Sequence, residues 1–219
     1  MTETPIALFD FDDTLAKGDS ILPYLLYCVK RGVAPWTQLP KAIAGYVAWL
    51  LNPSCASGAK QATLSFIKGK SLTEMDDLAR DFFREQQSKR FFQDGFKELC
   101  RLQGEGYRIL VVSASADVYM RVLPEFLPVD HVLCTQCTVD ENGCSTGEVG
   151  ANCKGEEKPV RIQAYLQEHD LCINKGKSAG YGDSPSDAPM LLMTASHNLV
   201  NPKKKLLRRL PDGNKLNWR

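Results

Sequence analysis

The sequence has no apolar run long enough to cross a membrane as a helix. Its two most apolar stretches, residues 20–29 and 42–51, are separated by basic residues, and each is about half of the ~20 residues that a spanning helix needs. Residues 1–9 lack the basic-then-apolar order of a signal peptide. We therefore expect a cytoplasmic protein without a spanning helix.

Neither sign of charge dominates, and cysteine is too sparse for a disulfide scaffold. The 27 Lys and Arg residues face 26 Asp and Glu residues, for a net charge of +1, so we expect no nucleic-acid partner. Eight cysteines in 219 residues, without a secretory signal, favour a reducing compartment. With 43% hydrophobic residues, the chain has enough apolar side chains for an ordinary buried core.

The two apolar stretches have two interpretations. The first is a pair of buried helices in a soluble helical bundle. The second is a surface that touches a membrane, because amphipathic aromatic side chains favour the membrane interface. The aromatic residues in question are Tyr24, Tyr27, Trp36, Tyr46 and Trp49.

The order of predicted elements indicates an α/β fold. Residues 5–10 form a short apolar run that ends in acid, as a buried strand does when it meets a site. From about residue 20 to residue 92, apolar side chains recur at helical spacing, with a capping box at residues 71–74. Further along, predicted helices (96–102, 117–126, 156–168) alternate with strands (107–113, 131–133, 178–183) and one hairpin (135–149). This alternation predicts a parallel sheet covered on both faces, with the helical block inserted after the first strand.

Candidate polar groups lie at or near the carboxyl ends of the predicted strands, where parallel sheets bind ligands. They are Asp10, Asp12, Ser113, Lys158, Asp183 and Asp187. Several carboxylates that converge on one edge repel each other unless a cation lies among them. Carboxylate oxygens suit Mg²⁺ far better than zinc, so the pattern predicts a magnesium site.

Such a site has the parts needed for phosphoryl transfer. A carboxylate can attack phosphorus once its repulsion from the phosphoryl group is offset, and Mg²⁺ and Lys158 supply positive charge while Ser113 supplies a hydroxyl donor. Water would then hydrolyse the aspartyl-phosphate. A second carboxylate two residues from the nucleophile could protonate the leaving group and then activate that water.

The same residues resemble the four motifs of the haloacid dehalogenase superfamily. Residues 10–15, with the sequence DFDDTL, resemble the first motif, and Ser113 resembles the second because it closes a hydrophobic strand. Lys158 matches the third motif and residues 182–187, GDSPSD, match the fourth. The helical insertion and residues 198–202 resemble subfamily IB, which contains phosphoserine phosphatases and phosphatidylglycerophosphatase C.

The resemblance implies a Rossmann-like core at residues 1–17 and 92–219, with an all-helical cap at residues 18–91. It implies a Mg²⁺-dependent phosphomonoester hydrolase in which Asp10 is the nucleophile and Asp12 the general acid and base. It also implies that Ser113 and Lys158 hold the phosphoryl oxygens. The implied metal ligands are Asp10, the backbone carbonyl of Asp12, Asp183 and Asp187.

Three departures leave the substrate open. Asp13 stands where Gly or Ser is usual, Ser186 stands where phosphoserine phosphatases carry Asn, and Asp19 stands in place of the Glu that these enzymes aim at the substrate's amino group. Arg31 is a weak candidate for their carboxylate-binding Arg. The substrate is therefore a small phosphometabolite, with phosphoserine as one alternative, or the phosphate of a phospholipid headgroup, which would suit an aromatic-rich cap.

Other classes and sites remain as alternatives. An aspartate-phosphorylated signalling receiver uses similar groups but has no helical insertion, and a silent scaffold is a third possibility. Residues 203–219 carry seven basic residues against one acid, and we interpret them as a solvated helix end and tail, with anionic lipid as the alternative partner. The remaining candidate is a zinc site, for which inert thiols are the simpler interpretation; its cysteines are Cys134, Cys137, Cys144 and Cys153.

Overall fold

The computed structural model describes residues 2–52 and 56–219. Their main feature is a six-stranded sheet in which every neighbouring pair is parallel, in the order β3-β2-β1-β6-β7-β8. Its strands are β1 (Thr2–Phe9), β2 (Arg108–Ala116), β3 (His131–Thr135), β6 (Leu171–Gly182), β7 (Ser196–Val200) and β8 (Asn214–Leu216). Strands β4 (Cys137–Val139) and β5 (Ser145–Val149) form a separate antiparallel hairpin, as predicted.

Helices cover both faces of this sheet. The insertion after β1 contains α1 (Ile21–Lys30), α2 (Gln38–Leu51), α3 (Ala56–Leu64) and α4 (Leu72–Arg90). The later helices are α5 (Gln93–Gly104), α6 (Asp117–Met120), α7 (Glu157–Glu168), α8 (Ala188–Leu191) and α9 (Lys204–Arg209). The predicted α/β fold with a helical insertion after the first strand is confirmed, while the division into a core and a cap at residues 18–91 stays a prediction.

Strand β1 lies near the middle of the sheet because its side chains are apolar on both faces. Leu8 pairs with Leu110 of β2 on one side and with Gly180 of β6 on the other. Ile6 and Leu8 point into a core shared with α7, α8 and α9, whereas Ala7 and Phe9 point into the core shared with the inserted helices. A strand buried on both faces is typical of parallel sheets.

The inserted helices pack through aromatic side chains. The predicted capping box opens α4: Ser71 Oγ accepts a hydrogen bond from the Glu74 amide at 3.2 Å, and Glu74 accepts one from the Ser71 amide. Tyr24 and Tyr27 of α1 are buried, and Phe82 of α4 packs edge-on against both. The interpretation of these two tyrosines as membrane-facing is therefore wrong: both belong to the core.

The exposed side chains of α2 contradict the other interpretation, in which both apolar stretches are buried helices. Its exposed apolar residues are Ile43 (62% exposed), Val47 (47%), Leu50 (58%) and Leu51 (83%). Trp36, just before this helix, is 73% exposed. The side chain of Trp49 lies outside the described part of the structure. In the described ranges, no helix combines the length and hydropathy needed to span a membrane.

Two segments differ from their predicted form. The helix expected at residues 117–126 stops at Met120, and a short 3₁₀ turn, Leu123–Glu125, follows; Pro124 has no amide hydrogen to continue an α-helix. The expected C-terminal tail instead folds into α9 and the edge strand β8. Trp218 stacks on Tyr181 with ring centroids 5.8 Å apart. The basic side chains of α9 are exposed, so that part of the prediction is correct.

Candidate active site

The carboxyl ends of the central strands bring the predicted residues to one edge of the sheet. Asp10 follows β1, and its amide donates to the carbonyl of Tyr181 in β6 at 2.9 Å. Asp183 follows β6 directly, and Asp187 precedes α8. Lys158 enters from the first turn of α7. These four residues come from three separate segments of the chain, and three of them offer carboxylates to a single small volume.

The three carboxylates have the donor chemistry of a magnesium site. One oxygen from each of Asp10, Asp183 and Asp187 lies within 4.8 Å of the others, and all three residues are buried. Within residues 2–52 and 56–219 this is the one group of three or more acids, histidines or cysteines that is close enough to share a metal. Hard oxygen donors at such spacing match the preference of Mg²⁺.

Lys158 joins two of the acids. Its buried ammonium lies 2.8 Å from Asp10 Oδ1 and 2.7 Å from Asp187 Oδ1. Burial opposes its charge, but the two carboxylates hold the pKa of Lys158 above its usual value. Burial likewise opposes ionisation of Asp187, yet Lys158 and the donors of Ser184 keep the pKa of Asp187 below its usual value. Asp187 is therefore an anion that the protein itself stabilises.

The charge of Asp10 is less well stabilised by its neighbours than the charge of Asp187. Burial and the neighbouring Asp187 raise the pKa of Asp10 well above its usual value, although Lys158 acts in the opposite direction. Lys158 is shared between Asp10 and Asp187, so its one charge does not offset both carboxylates. A divalent cation among the acids would return Asp10 to its ionised, nucleophilic form.

Asp183 pairs with a second lysine of the site, Lys203, which the sequence did not reveal. Lys203, between β7 and α9, places its ammonium 2.6 Å from Asp183 Oδ2 and 3.3 Å from Asp13 Oδ2. Its amide also donates to the Asp183 carbonyl at 2.9 Å. Burial raises the pKa of Asp183 to about 6 even with Lys203 in place. The only sequence signal was a run of three lysines, which is typical of a solvated surface.

Asp12 lies two residues from Asp10, in a different environment. Asp12 Oδ2 accepts a hydrogen bond of 2.6 Å from Ser115 Oγ, whereas Oδ1 is shielded from solvent and has no hydrogen-bond partner among the described residues. Burial and the nearby charge of Asp19 raise the pKa of Asp12 to about 7. A carboxyl group in this range can both give and take a proton near neutral pH.

The remaining predicted residues are only partly brought together. Ser113 is buried in β2, and its Oγ accepts a hydrogen bond from the Ser115 amide at 3.0 Å. Asp19 is exposed, and its Oδ1 accepts from the Ile21 amide at the start of α1. Arg31 lies on the surface in an ion pair of 2.6 Å with Glu85, and its role as a substrate ligand stays a prediction.

The cysteines of residues 2–52 and 56–219 show no metal site. Cys134 and Cys153 are buried free thiols, and burial raises the pKa of each. They form no group of three metal-capable side chains within the described ranges.

Comparison with known proteins agrees with this geometry. The family model of haloacid dehalogenase-like hydrolases matches residues 7–192. The chain therefore belongs to this family, and it is a hydrolase. This membership favours an enzyme over the signalling receiver and the silent scaffold considered from the sequence.

Relatives with phosphatase names are among the similar proteins. A probable phosphatase of Mycobacterium tuberculosis is 34% identical over 214 residues, which cover 91% of this chain and 70% of the relative. A histidinol-phosphatase of Neisseria meningitidis is 24% identical, with 92% of each chain covered. Among solved structures, a Bordetella pertussis protein of unknown function has a TM-score of 0.84 at 21% identity, covering 99% of both chains. A phospho-aspartyl intermediate analogue of phosphoserine phosphatase has a TM-score of 0.62 at 18% identity, covering 98% of this chain and 94% of the other. These last two show the same fold.

Proposed function

We propose that the protein is a Mg²⁺-dependent phosphomonoester hydrolase that forms an aspartyl-phosphate on Asp10. The observation that carries this proposal is the cluster of Asp10, Lys158, Asp183 and Asp187, with Asp12 two residues from the nucleophile. Bound Mg²⁺, held by the three clustered carboxylates and the Asp12 carbonyl, would supply the positive charge that offsets repulsion between Asp10 and the phosphoryl group.

The residues of the chain then divide the reaction into two steps. A carboxylate oxygen of Asp10 attacks phosphorus, the bond to the leaving oxygen breaks, and Asp12 donates a proton to that oxygen. In the second step water attacks phosphorus, Asp12 takes a proton from the water, and the bond between Asp10 and phosphorus breaks to release phosphate. Ser113 and Lys158 hold the phosphoryl oxygens in both steps.

Asp10→Asn tests the nucleophile directly. We expect this variant to fold and to lose hydrolysis of an aryl phosphate by at least about 10³-fold, because an amide cannot form the covalent intermediate. Asp212→Asn, at an exposed aspartate, is the matched control and should keep full activity. Beryllium fluoride with Mg²⁺ should inhibit the wild-type protein. Turnover by the Asp10→Asn variant at more than a few per cent would contradict the mechanism.

The substrate is either a small phosphometabolite or the phosphate of a phospholipid headgroup. The exposed Asp19 would suit a substrate with an amino group, such as phosphoserine or histidinol phosphate, but the candidate carboxylate ligand Arg31 is already paired with Glu85. This favours an amine without a carboxylate over phosphoserine. A side-by-side panel of phosphoserine, histidinol phosphate, sugar phosphates, nucleotides and short-chain phosphatidylglycerophosphate measures kcat/KM for each class. A preference for phosphoserine would overturn this ranking.

We also propose peripheral contact of the inserted helices with an anionic membrane. The cap face consists of exposed apolar residues on and next to α1 and α2: Leu22, Leu26, Trp36, Ile43, Val47, Leu50 and Leu51. Residues 20–73, which include this face, contain six basic residues and no acid. Apolar insertion combined with positive charge is the pattern of interfacial helices, and each basic residue near an anionic surface contributes ~1 kcal/mol.

Vesicle sedimentation tests the cap face. We expect the wild-type protein to bind vesicles that contain phosphatidylglycerol, to bind pure phosphatidylcholine weakly, and to dissociate at high salt. The double variant Ile43→Ser, Leu50→Ser should lose binding, whereas Val160→Ser, at an apolar residue of α7 that is 57% exposed, should not. Equal partitioning of the wild type and the double variant, or self-association in place of vesicle binding, would contradict membrane contact.

A further inference from the structure

Three buried hydroxyl groups form a chain that ends on Asp12. Ser115 Oγ lies 2.6 Å from Asp12 Oδ2, Ser20 Oγ lies 2.9 Å from Ser115 Oγ, and Tyr119 Oη lies 3.0 Å from Ser20 Oγ. The three residues are at most 4% exposed. Since Ser20 precedes α1 while Ser115 and Tyr119 lie in β2 and α6, the chain links the inserted helices to the sheet.

Ser20 belongs to this hydroxyl chain and does not cap its own helix. It occupies the N-cap position of α1, where a serine hydroxyl normally accepts a hydrogen bond from the helix, yet it makes no such bond. Asp19 supplies the local acceptor instead, for the Ile21 amide at 2.9 Å. The hydroxyl of Ser20 is therefore directed away from its own helix and toward Ser115.

The donors of this chain have one consistent direction. Ser115 donates to Asp12 Oδ2, so Ser115 Oγ must accept from Ser20, and Ser20 Oγ must in turn accept from Tyr119. In the opposite direction, the Tyr119 hydroxyl hydrogen would have no acceptor among the described residues outside the chain. A buried donor without an acceptor is costly, which favours the direction from Tyr119 to Asp12. Hydrogen bonds aligned in this way also strengthen one another.

We propose that Ser115, Ser20 and Tyr119 are positioning residues that hold Asp12 Oδ2 and so leave Oδ1 as the oxygen that exchanges the proton with the leaving group. This proposal rests on the proposed role of Asp12. Its second support is Oδ1 itself, which is shielded from solvent and has no partner among the described residues. The hydroxyls act through Asp12 and take no part in bonds to phosphorus.

A comparison of two leaving groups separates positioning of the acid from a structural role. An alkyl phosphate needs a proton on its leaving oxygen, whereas 2,4-dinitrophenyl phosphate has a leaving group stable as an anion. We expect Ser115→Ala to lower kcat/KM for the alkyl phosphate by about 30-fold and for the dinitrophenyl ester by less than about 3-fold, since a positioned acid is worth 10²–10⁴-fold. Tyr119→Phe, which keeps the ring, should show the same selectivity in weaker form, and Ser115→Thr should restore activity toward the alkyl ester.

Tyr24→Phe is the matched control. Tyr24 is as buried as Tyr119, their rings lie 4.7 Å apart, and its hydroxyl is outside the chain. Equal losses on both substrates in Ser115→Ala, or a selective loss in Tyr24→Phe, would overturn the proposal. Asp12→Asn distinguishes the two levels of the argument. If it is selective while Ser115→Ala is not, only the positioning role fails; if it is not selective either, the role of Asp12 in the proposed function fails.

Discussion

Asp13 has a left-handed backbone conformation, with a φ of 61°. Glycine adopts this region without strain, and aspartate is among the few other residues that tolerate it. This explains why the position resembles one where Gly is usual in related motifs. Here the side chain is also used: Oδ1 accepts from the Gly18 amide at 2.8 Å, and Oδ2 faces Lys203. The extra acid therefore comes with its own cation, which also contacts Asp183.

Removal of the Lys203 ammonium should tighten the binding of Mg²⁺. We expect Lys203→Met to lower, by about five-fold, the Mg²⁺ concentration at which Tm begins to rise, because a unit charge a few ångströms away in a solvated setting is worth about 1 kcal/mol. Lys204→Met, at the adjacent exposed lysine, is the control. The measurement is a Mg²⁺ titration followed by thermal unfolding, without substrate. An unchanged or weaker Mg²⁺ response in Lys203→Met would contradict this expectation.

The acids of the site and Lys158 were predictable from the sequence, but two further partners, Ser115 and Lys203, were not. Asp10 directly follows an apolar run of strand length, and Asp183 stands at the end of a second predicted strand, so their type and place indicate a shared edge of the sheet. Neither the residue type nor the sequence position of Ser115 and Lys203 indicates a place in the site. A serine in a run of small residues and a lysine in a basic run have many ordinary roles. The contact of Ser115 with Asp12 depends on packing between segments more than 100 residues apart. The contact of Lys203 with Asp183 depends on the turn that follows β7.

At the scale of elements, α3 is tied to the sheet by one lysine. The ammonium of Lys60 contacts the Ala114 carbonyl, Thr135 Oγ1 at 3.2 Å and Asn152 Oδ1 at 2.6 Å. All three acceptors are neutral, and burial lowers the pKa of Lys60 to about 8. The contact with Ala114, which follows Ser113, places the inserted helices against the end of β2, which carries a predicted phosphate ligand.

Lys60 should make the free energy of unfolding depend on pH in the alkaline range. Between pH 8 and about 10.5 the unfolded chain keeps the proton of this lysine while the folded chain releases it, so the free energy of unfolding should rise with pH across this window. Below pH 8 both states are protonated and the cost of burying the ammonium remains in full. Urea unfolding of the wild type and of Lys60→Met isolates the effect as a difference that grows from pH 8 to 10. Lys68→Met, at an exposed lysine, should run parallel to the wild type; parallel curves for Lys60→Met would refute the assignment.

Elements with strong periodicity were predictable, and those defined by their neighbours were not. The buried runs of β1 and β2 and the capping box of α4 have local signals that the structure confirms. Strand β8 has three residues, Asn214–Leu216, and exists only because β7 offers it an edge. Helix α2 keeps several apolar side chains exposed, so its composition indicated more burial than the structure has.

At the scale of the whole molecule, the C-terminal segment closes the fold. The Trp218 ring lies against Gly95, where an added Cβ would come within 3.1 Å of it, and it stacks on Tyr181. The Gln93 amide donates to the Arg219 carbonyl at 2.9 Å. The last residues therefore hold the start of α5, just after the inserted helices return to the sheet.

Trp218 should matter for stability and little for chemistry. We expect Trp218→Ala to lower the free energy of unfolding by about 3 kcal/mol, because a large side chain is lost from a packed site. Values of kcat/KM should stay within two-fold at temperatures where the variant is folded. Trp36→Ala, at a tryptophan that is 73% exposed, should change stability by less than about 0.5 kcal/mol. Equal effects of the two substitutions in urea unfolding would contradict the packing role.

The central place of β1 has a consequence for synthesis on the ribosome. Phe9 pairs with Tyr181, so the strand that precedes Asp10, the proposed nucleophile, leaves the ribosome long before its neighbour on that side exists. During this interval Asp10 has neither Lys158 nor the other two acids beside it. The nascent chain therefore emerges with an apolar strand and the inserted helices exposed, and the active site closes late in translation, once β6 has been made.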